Sequence, residues 1–170
     1  MYNFNFNVYE VNDVYNGKSA IAIKTANGKI FQKVALKKNT KYKLSVNLKL
    51  KTNNPLEISG YALLGAFDIK DNTINSDNEP TNRISIDSTL LIDLSTLSQE
   101  KFDLVSFEFN SEEYEEAIVG IFHNPRAVKN ILFVDGFSLT EESSNENLLL
   151  NPYFENDNDW ILESAERFTV

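Results

Sequence analysis

Residues 42–51 alternate without a break, with Tyr42, Leu44, Val46, Leu48 and Leu50 set against Lys43, Ser45, Asn47, Lys49 and Lys51. A period of two puts the two sets on opposite faces of an extended chain, so the stretch predicts a strand with one face in the core and the other in water. The same period appears over residues 2–8, where Tyr2, Phe4, Phe6 and Val8 oppose Asn3, Asn5 and Asn7, and again over residues 102–109. Apolar runs at 20–24, 30–36, 117–122 and 131–139 are of strand length. Their β-branched and aromatic side chains suit strands. Residues 56–69 read as one or two strands interrupted by Gly60 and Gly65. Residues 84–97 are assigned to strand and loop, although 90–97 would also satisfy a short helical turn. Polar stretches at 12–18, 37–40, 52–55, 71–82 and 111–116 separate the elements, and Asn27-Gly28 favours a tight hairpin turn. Many short strands between turns, with no convincing amphipathic helix, predict an all-β chain, a jelly-roll β-sandwich of two antiparallel sheets.

The tail does not read as a simple extension. Residues 1–140 carry the jelly-roll body, and residues 141–146 are acidic and rich in Ser and Asn, as a linker would be. Residues 147–170 then return to strand-forming sequence at 147–155, 160–162 and 167–170, and they hold the only Trp.

Composition narrows the chemistry. The 170 residues suffice for one domain with a real core. Sixteen basic against 25 acidic residues give a net charge of −9, which makes nucleic acid and anionic lipid poor partners. Zero Cys and one His exclude disulfides, thiol nucleophiles and Cys- or His-rich metal sites. Only 6 Gly stand against 22 Asn, so Asn is expected to make left-handed turns that Gly makes elsewhere. No apolar run reaches the ~20 residues of a membrane span, and no signal peptide is recognisable. The chain is therefore expected in a virion or at a cell surface, either made in the cytoplasm and released or cut from a longer secreted polypeptide.

Several segments together resemble carbohydrate-binding modules of the family four and nine type, within the galactose-binding-like jelly rolls. They are Gly17-Lys18-Ser19-Ala20, Gln32-Lys33-Val34 with Leu36, residues 39–46, and Phe133-Val134-Asp135-Gly136-Phe137-Ser138-Leu139. Such modules usually open with an Asn-Leu-Leu, Asn, Phe-Glu and Trp pattern; here that pattern is Asn147, Leu148, Leu149, Asn151, Phe154, Glu155 and Trp160, at the wrong end of the chain. A jelly roll lacking its first strand has an open edge. The tail is expected either to complete its own body, as a circular permutation, or to complete a neighbouring chain by strand exchange. Excision from a tandem array, with the tail as half of the next repeat, is a third reading. Residues 140–147, the linker with one flanking residue at each end, span roughly 25 Å when extended, so the length allows self-completion.

The resemblance implies a structural Ca²⁺ held by the carboxylates of Asp135 and Glu155 with backbone carbonyls at Gly17 and Lys18, and it implies a glycan as ligand. Sugar rings stack on aromatic side chains while amides and carboxylates bond their hydroxyls. The candidates are Tyr61, Tyr114, Tyr153 and Trp160, then Tyr15 and Phe122, with Asn47, Asn110 and Glu108 as polar partners. Burial is the commoner fate of a lone Trp, and Tyr42 falls in the core register of its strand. His123 precedes a turn-forming Asn124-Pro125 and is expected in an exposed loop, with no Ser placed beside it for a triad. Glu112, Glu113, Glu115 and Glu116 read as a solvated turn rather than a hydrolytic pair, and the Lys43, Lys49 and Lys51 face as a solubility device.

The expectation is a non-catalytic, glycan-binding-like jelly roll. It would serve as a phage virion subunit (tail, head fibre or decoration) or another surface-assembly subunit, oligomeric through residues 147–170. The alternative is a carbohydrate-binding module cut from a secreted bacterial polysaccharide-degrading enzyme or adhesin.

Overall fold

The alternating segments become strands in a computed structural model that describes residues 8–70, 82–126 and 129–170. The strand expected over 2–8 and the loop expected over 71–82 lie outside the described residues, but for Val8 and Asn82. One sheet contains β1 (Ser19–Ile23), β3 (Lys41–Thr52), β6 (Asp103–Asn110), β8 (Asn130–Glu141) and β10 (Glu166–Thr169). The other contains β2 (Gly28–Ala35), β4 (Gly60–Phe67), β5 (Thr89–Asp93), β7 (Glu116–Pro125) and β9 (Ile161–Glu163). Their orders are β10-β1-β8-β3-β6, here sheet A, and β5-β4-β7-β2-β9, here sheet B, with every pairing antiparallel. Residues 84–97 resolve into β5 followed by a single 3-10 turn at Leu94–Thr96.

Among the described strands the chain passes to the opposite sheet at every connection except β4 to β5. This corrects the reading of Asn27-Gly28. A tight turn is there, with Asn27 at φ 64° and the Gly28 N–H donating to Thr25 O at 3.3 Å. It carries the chain between sheets, however, so β1 and β2 are not a hairpin. Asn39 and Asn151 also take positive φ, the use of Asn that its abundance predicted.

The core lies between the sheets and is built from the inward rows, among them Ile30, Leu44, Val46, Leu64, Val119, Ile121 and Leu139; Tyr42 joins it as expected. The tail enters this same core. Leu149, Phe154 and Trp160 are buried there, Trp160 against Phe137 and Phe154 at 4.9 and 5.2 Å between ring centroids. β9 pairs with β2 (Ile30 opposite Leu162), and β10 pairs with β1 (Ala20 opposite Phe168). Residues 161–163 and 166–169 thus add one strand to an edge of each sheet. Residues 147–155 are turns and not the expected strand, since Asn151 and Phe154 sit at φ 47° and 54°.

A second irregular segment, residues 8–18, crosses the outer face of sheet A. Tyr9 stacks on Phe168 at 4.1 Å and meets the edge of Phe133 at 6.1 Å, over a small cluster with Ala20, Ala22 and Ile131. A 3-10 turn at Val11–Asp13 brings Asp13 to the Nζ atoms of Lys49 and Lys51, at 3.0 and 3.4 Å. Lys49 also donates to Asn12 O and is only 4% exposed. The outer face of β3 is therefore not wholly in water, because the lead-in segment covers its second half and supplies the counter-charge a buried Lys requires.

Candidate functional site

In β4 the inward residues are Ala62, Leu64 and Ala66, and in β7 they are Ala117, Val119 and Ile121. Strand alternation consequently sends Tyr61 and Leu63, and Phe122 and Asn124, to the outer face of sheet B. Register makes them neighbours, with Tyr61 between Asn124 and Asp93, and Leu63 between Phe122 and Leu91. Asn124 Nδ2 donates to Tyr61 Oη at 3.1 Å, and the Arg126 guanidinium lies over the Tyr61 ring, 5.8 Å from its centroid. Such a cation-over-ring contact contributes on the order of 0.5–1 kcal/mol at a partly wet site. Asp93 faces the same way but is committed locally. Its carboxylate accepts from Ser95 N and Ser95 Oγ at 2.9 and 2.7 Å, which holds it below the usual carboxylate range. The result is a half-buried aromatic ring with a guanidinium over it and a buried amide on its hydroxyl, beside an apolar row that includes the exposed Leu91; aromatic rings and guanidinium groups are side chains that stack on C–H faces and bond hydroxyls.

Asn124 and Arg126 were missed in the sequence because Asn124-Pro125 reads as a turn. The signal that locates Asn124 is the inward period Ala117, Val119 and Ile121, which continues to His123. His123 is accordingly buried inside β7, correcting the expected exposed loop. Its Nε2 lies 2.6 Å from Asn130 Oδ1, and burial pushes its pKa down to about 4.

The Asp135 and Glu155 pair converges on the loop at residues 15–18. Asp135 Oδ2 accepts from Tyr15 N and Asn16 N at 2.9 and 3.1 Å, Asp135 Oδ1 accepts from Gly136 N at 2.8 Å, and Glu155 Oε1 accepts from Lys18 N at 3.2 Å. Burial first, and then the nearby Glu155 charge, push the Asp135 carboxyl up to about 7 against the amide bonds that lower it. Among the described residues no basic side chain pairs with either acid. The Lys18 carbonyl accepts from Val170 N at 2.9 Å, and its N–H is the group that meets Glu155. At Gly17 (φ 77°) an added Cβ would fall 2.1 Å from Glu155 Oε1, so the carboxylate packs against a glycine for lack of room. Among the described residues no group of three or more acidic, His or Cys side chains is placed to hold a metal.

The other candidates are dispersed. Trp160 is core, its Nε1 donating to Leu150 O and Asn151 O, and is no ligand platform. Phe122 is nearly covered and lies against Phe67 and the Lys29 ammonium. Tyr114 borders an open cleft of about 690 Å³ and donates to Asp68 Oδ2 at 3.3 Å. Around that cleft Lys38 approaches Glu113 and Glu115 at 3.9 and 3.8 Å, as in a solvated turn of mixed charge. Tyr15 and Tyr153, on separate loops, meet beside Gly136 on the far side of the molecule.

No family model and no curated protein matches the chain. Solved structures do. The carbohydrate-binding module PbXyn10C CBM, in its apo form, superposes with a TM-score of 0.54 at 14% identity, over 98% of this chain and 95% of its own. A CBM4 structure gives 0.47 at 13% identity over 67% of this chain, which spans 61% of that structure's length. TmCBM61, solved in complex with β-1,4-galactotriose, gives 0.46 at 12% identity over 77% of this chain and 76% of its own. The fold is thus the jelly-roll sandwich of carbohydrate-binding modules, as the resemblance implied.

Proposed function

We propose that this protein is a non-catalytic glycan-binding module whose ligand lies on the outer face of sheet B at Tyr61, Asn124 and Arg126. The observation that carries the reading is the bracketed ring itself. The half-buried Tyr61 ring carries the Arg126 guanidinium over its face, and the Asn124 amide fixes the ring by donating to its hydroxyl. A neighbour of the same fold, PbXyn10C CBM, is named as a carbohydrate-binding module, which supports the ligand class. Native gels containing soluble β-glucan, xylan, galactan or galactomannan test it. At least one polymer should retard the protein, and Tyr61→Ala should reduce the retardation about tenfold or more, a loss of roughly 1.4 kcal/mol. A fully folded Tyr61→Ala protein retarded as strongly as the original would overturn the assignment.

A Ca²⁺ between Asp135 and Glu155, completed largely by water, is proposed as a structural addition to this reading. A melting temperature identical in calcium and in chelator would remove it. The finer role is that of a subunit in a phage virion or other surface assembly, supported only by the compact, strongly acidic character of the chain. Light scattering that gives one chain's mass at all concentrations would count against it.

A further inference from the structure

The outer face of sheet A carries a polar pattern that the sheet B site does not use. Ser45 of β3 stands directly opposite Ser106 of β6 and Ser138 of β8, so three hydroxyls form one row across three strands. Cross-strand neighbours lie about 4.5–5.5 Å apart. Ser106 is exposed, the other two are half-buried, and none of the three hydroxyls hydrogen-bonds within the described residues.

Beside this row β8 bulges. Ser45 pairs with Ser138 but Asn47 pairs with Asp135, leaving an extra residue at Gly136, which takes φ 62°. An added Cβ there would lie 2.6 Å from Asn47 Nδ2, 3.4 Å from Tyr15 and 3.5 Å from Tyr153, so those three side chains close over the bulge, which brings the two tyrosines together. Both tyrosines are pinned through backbone. Tyr15 N–H donates to Asp135 Oδ2, and Pro152 O, next to Tyr153, accepts from Phe137 N at 3.1 Å. Even so the rings remain 52% and 39% exposed. Pinned, half-exposed aromatics lose little conformational entropy when a ligand stacks on them.

We propose that this tyrosine pair and the serine row form a second glycan-binding face, for an uncharged polysaccharide. Ring C–H groups would stack on Tyr15 or Tyr153, and ring hydroxyls would meet Ser45, Ser106 and Ser138. The uncharged class follows from the lining. The nearest carboxylates, Asp135 and Glu155, already accept backbone N–H bonds, and Glu108, one row beyond the serines, is paired with Lys41 at 3.0 Å. Because the outer faces of a sandwich point in opposite directions, one molecule would hold two polysaccharide strands.

The proposal goes beyond the sheet B reading and can fail separately from it. Using the full chain with the four neutral polymers, affinity gels and light scattering of protein–polymer mixtures would compare Tyr61→Ala, the double variant Tyr15→Ala/Tyr153→Ala, and both sets combined. Two faces predict residual retardation in Tyr61→Ala that the combined variant abolishes. They also predict loss of polymer cross-linking when either face is changed, with avidity falling about tenfold or more. A folded Tyr15→Ala/Tyr153→Ala protein that binds and cross-links like the original overturns the proposal and leaves the Tyr61 face standing. Loss on the tyrosine pair with no effect of Tyr61→Ala keeps the proposal and sinks the other site, and absence of binding to all four polymers sinks both. Should the double variant misfold, Ser106→Lys, at an exposed position, blocks the row and carries the same expectation.

Discussion

Two irregular segments finish this sandwich, and they do so by different physics. The tail, residues 147–170, contributes Leu149, Phe154 and Trp160 to the main core and adds a short strand to the edge of each sheet. The lead-in, residues 8–18, adds no strand. It lies on a finished sheet and is held by one aromatic stack, one buried ion pair and amide bonds to Asp135. Burial of three large side chains stabilises by roughly 1.5–3 kcal/mol each, whereas the buried ion pair contributes little net and mainly makes its own disruption expensive. The tail should therefore be required for folding, and the lead-in for keeping one face of sheet A as it is.

The largest effect that would break this contrast is truncation. A chain ending at Glu146 is expected not to fold, with loss of the β-sheet dichroism and of cooperative melting, and Trp160→Ala alone should cost about 3–5 kcal/mol in denaturant unfolding. A truncated chain that melts like the whole would make the tail dispensable. Next comes Asp13→Ala, which strands the Lys49 ammonium in a covered site and should cost about 3 kcal/mol, with most of the loss recovered by adding Lys49→Met. If the single change is silent, the lead-in does not cover Lys49 in solution.

A smaller net effect is expected with pH, because two buried groups act with opposite sign. His123 has a folded pKa of about 4 against its ordinary 6.5, so its contribution is present above 6.5 and is lost as pH falls towards 4, by roughly 3 kcal/mol. Asp135, raised to about 7 from 3.8, contributes below 3.8 and loses that contribution as pH rises through 7. Between pH 4 and 6.5 the two slopes oppose, so stability should change little. Asp135→Asn should uncover a steep loss in acid, and His123→Gln a gain; identical pH profiles for both variants and the original would refute the assignment. Smallest of all, Tyr153→Ala should shift stability by no more than about 0.5–1 kcal/mol, since its half-exposed ring fills none of the core.

These contrasts also mark where the sequence was legible. Alternation located β3 and β6, because a strand with one buried face must repeat every second residue, and the apolar runs located β1, β2, β7 and β8. Asn at positive φ was readable from composition, and Asp135 and Glu155 as a convergent pair from the resemblance. Asn124 and Arg126 were not, since a Pro after an Asn signals a turn unless neighbouring strands prolong the ladder, as β4 does where Gly60 pairs with Pro125. Nor was the meeting of two tyrosines at Gly136. Tyr15 and Tyr153 are 138 positions apart and are joined only by a bulge that no local pattern announces.

By itself the sequence determined the fold class, the inward rows of the main strands, and a chemistry without thiols or histidine clusters. Only the tertiary structure decided what covers the outward rows. Periodicity reports that a residue faces away from its own core, and it is silent about what arrives from elsewhere in the chain. Lys43 and Lys49 occupy equivalent places in one alternating pattern, yet Lys43 stands in water and Lys49 lies under Asn12 and Asp13. The desolvation of Lys49 is offset by contacts some 36 residues distant, and such contacts exist only once the chain has folded.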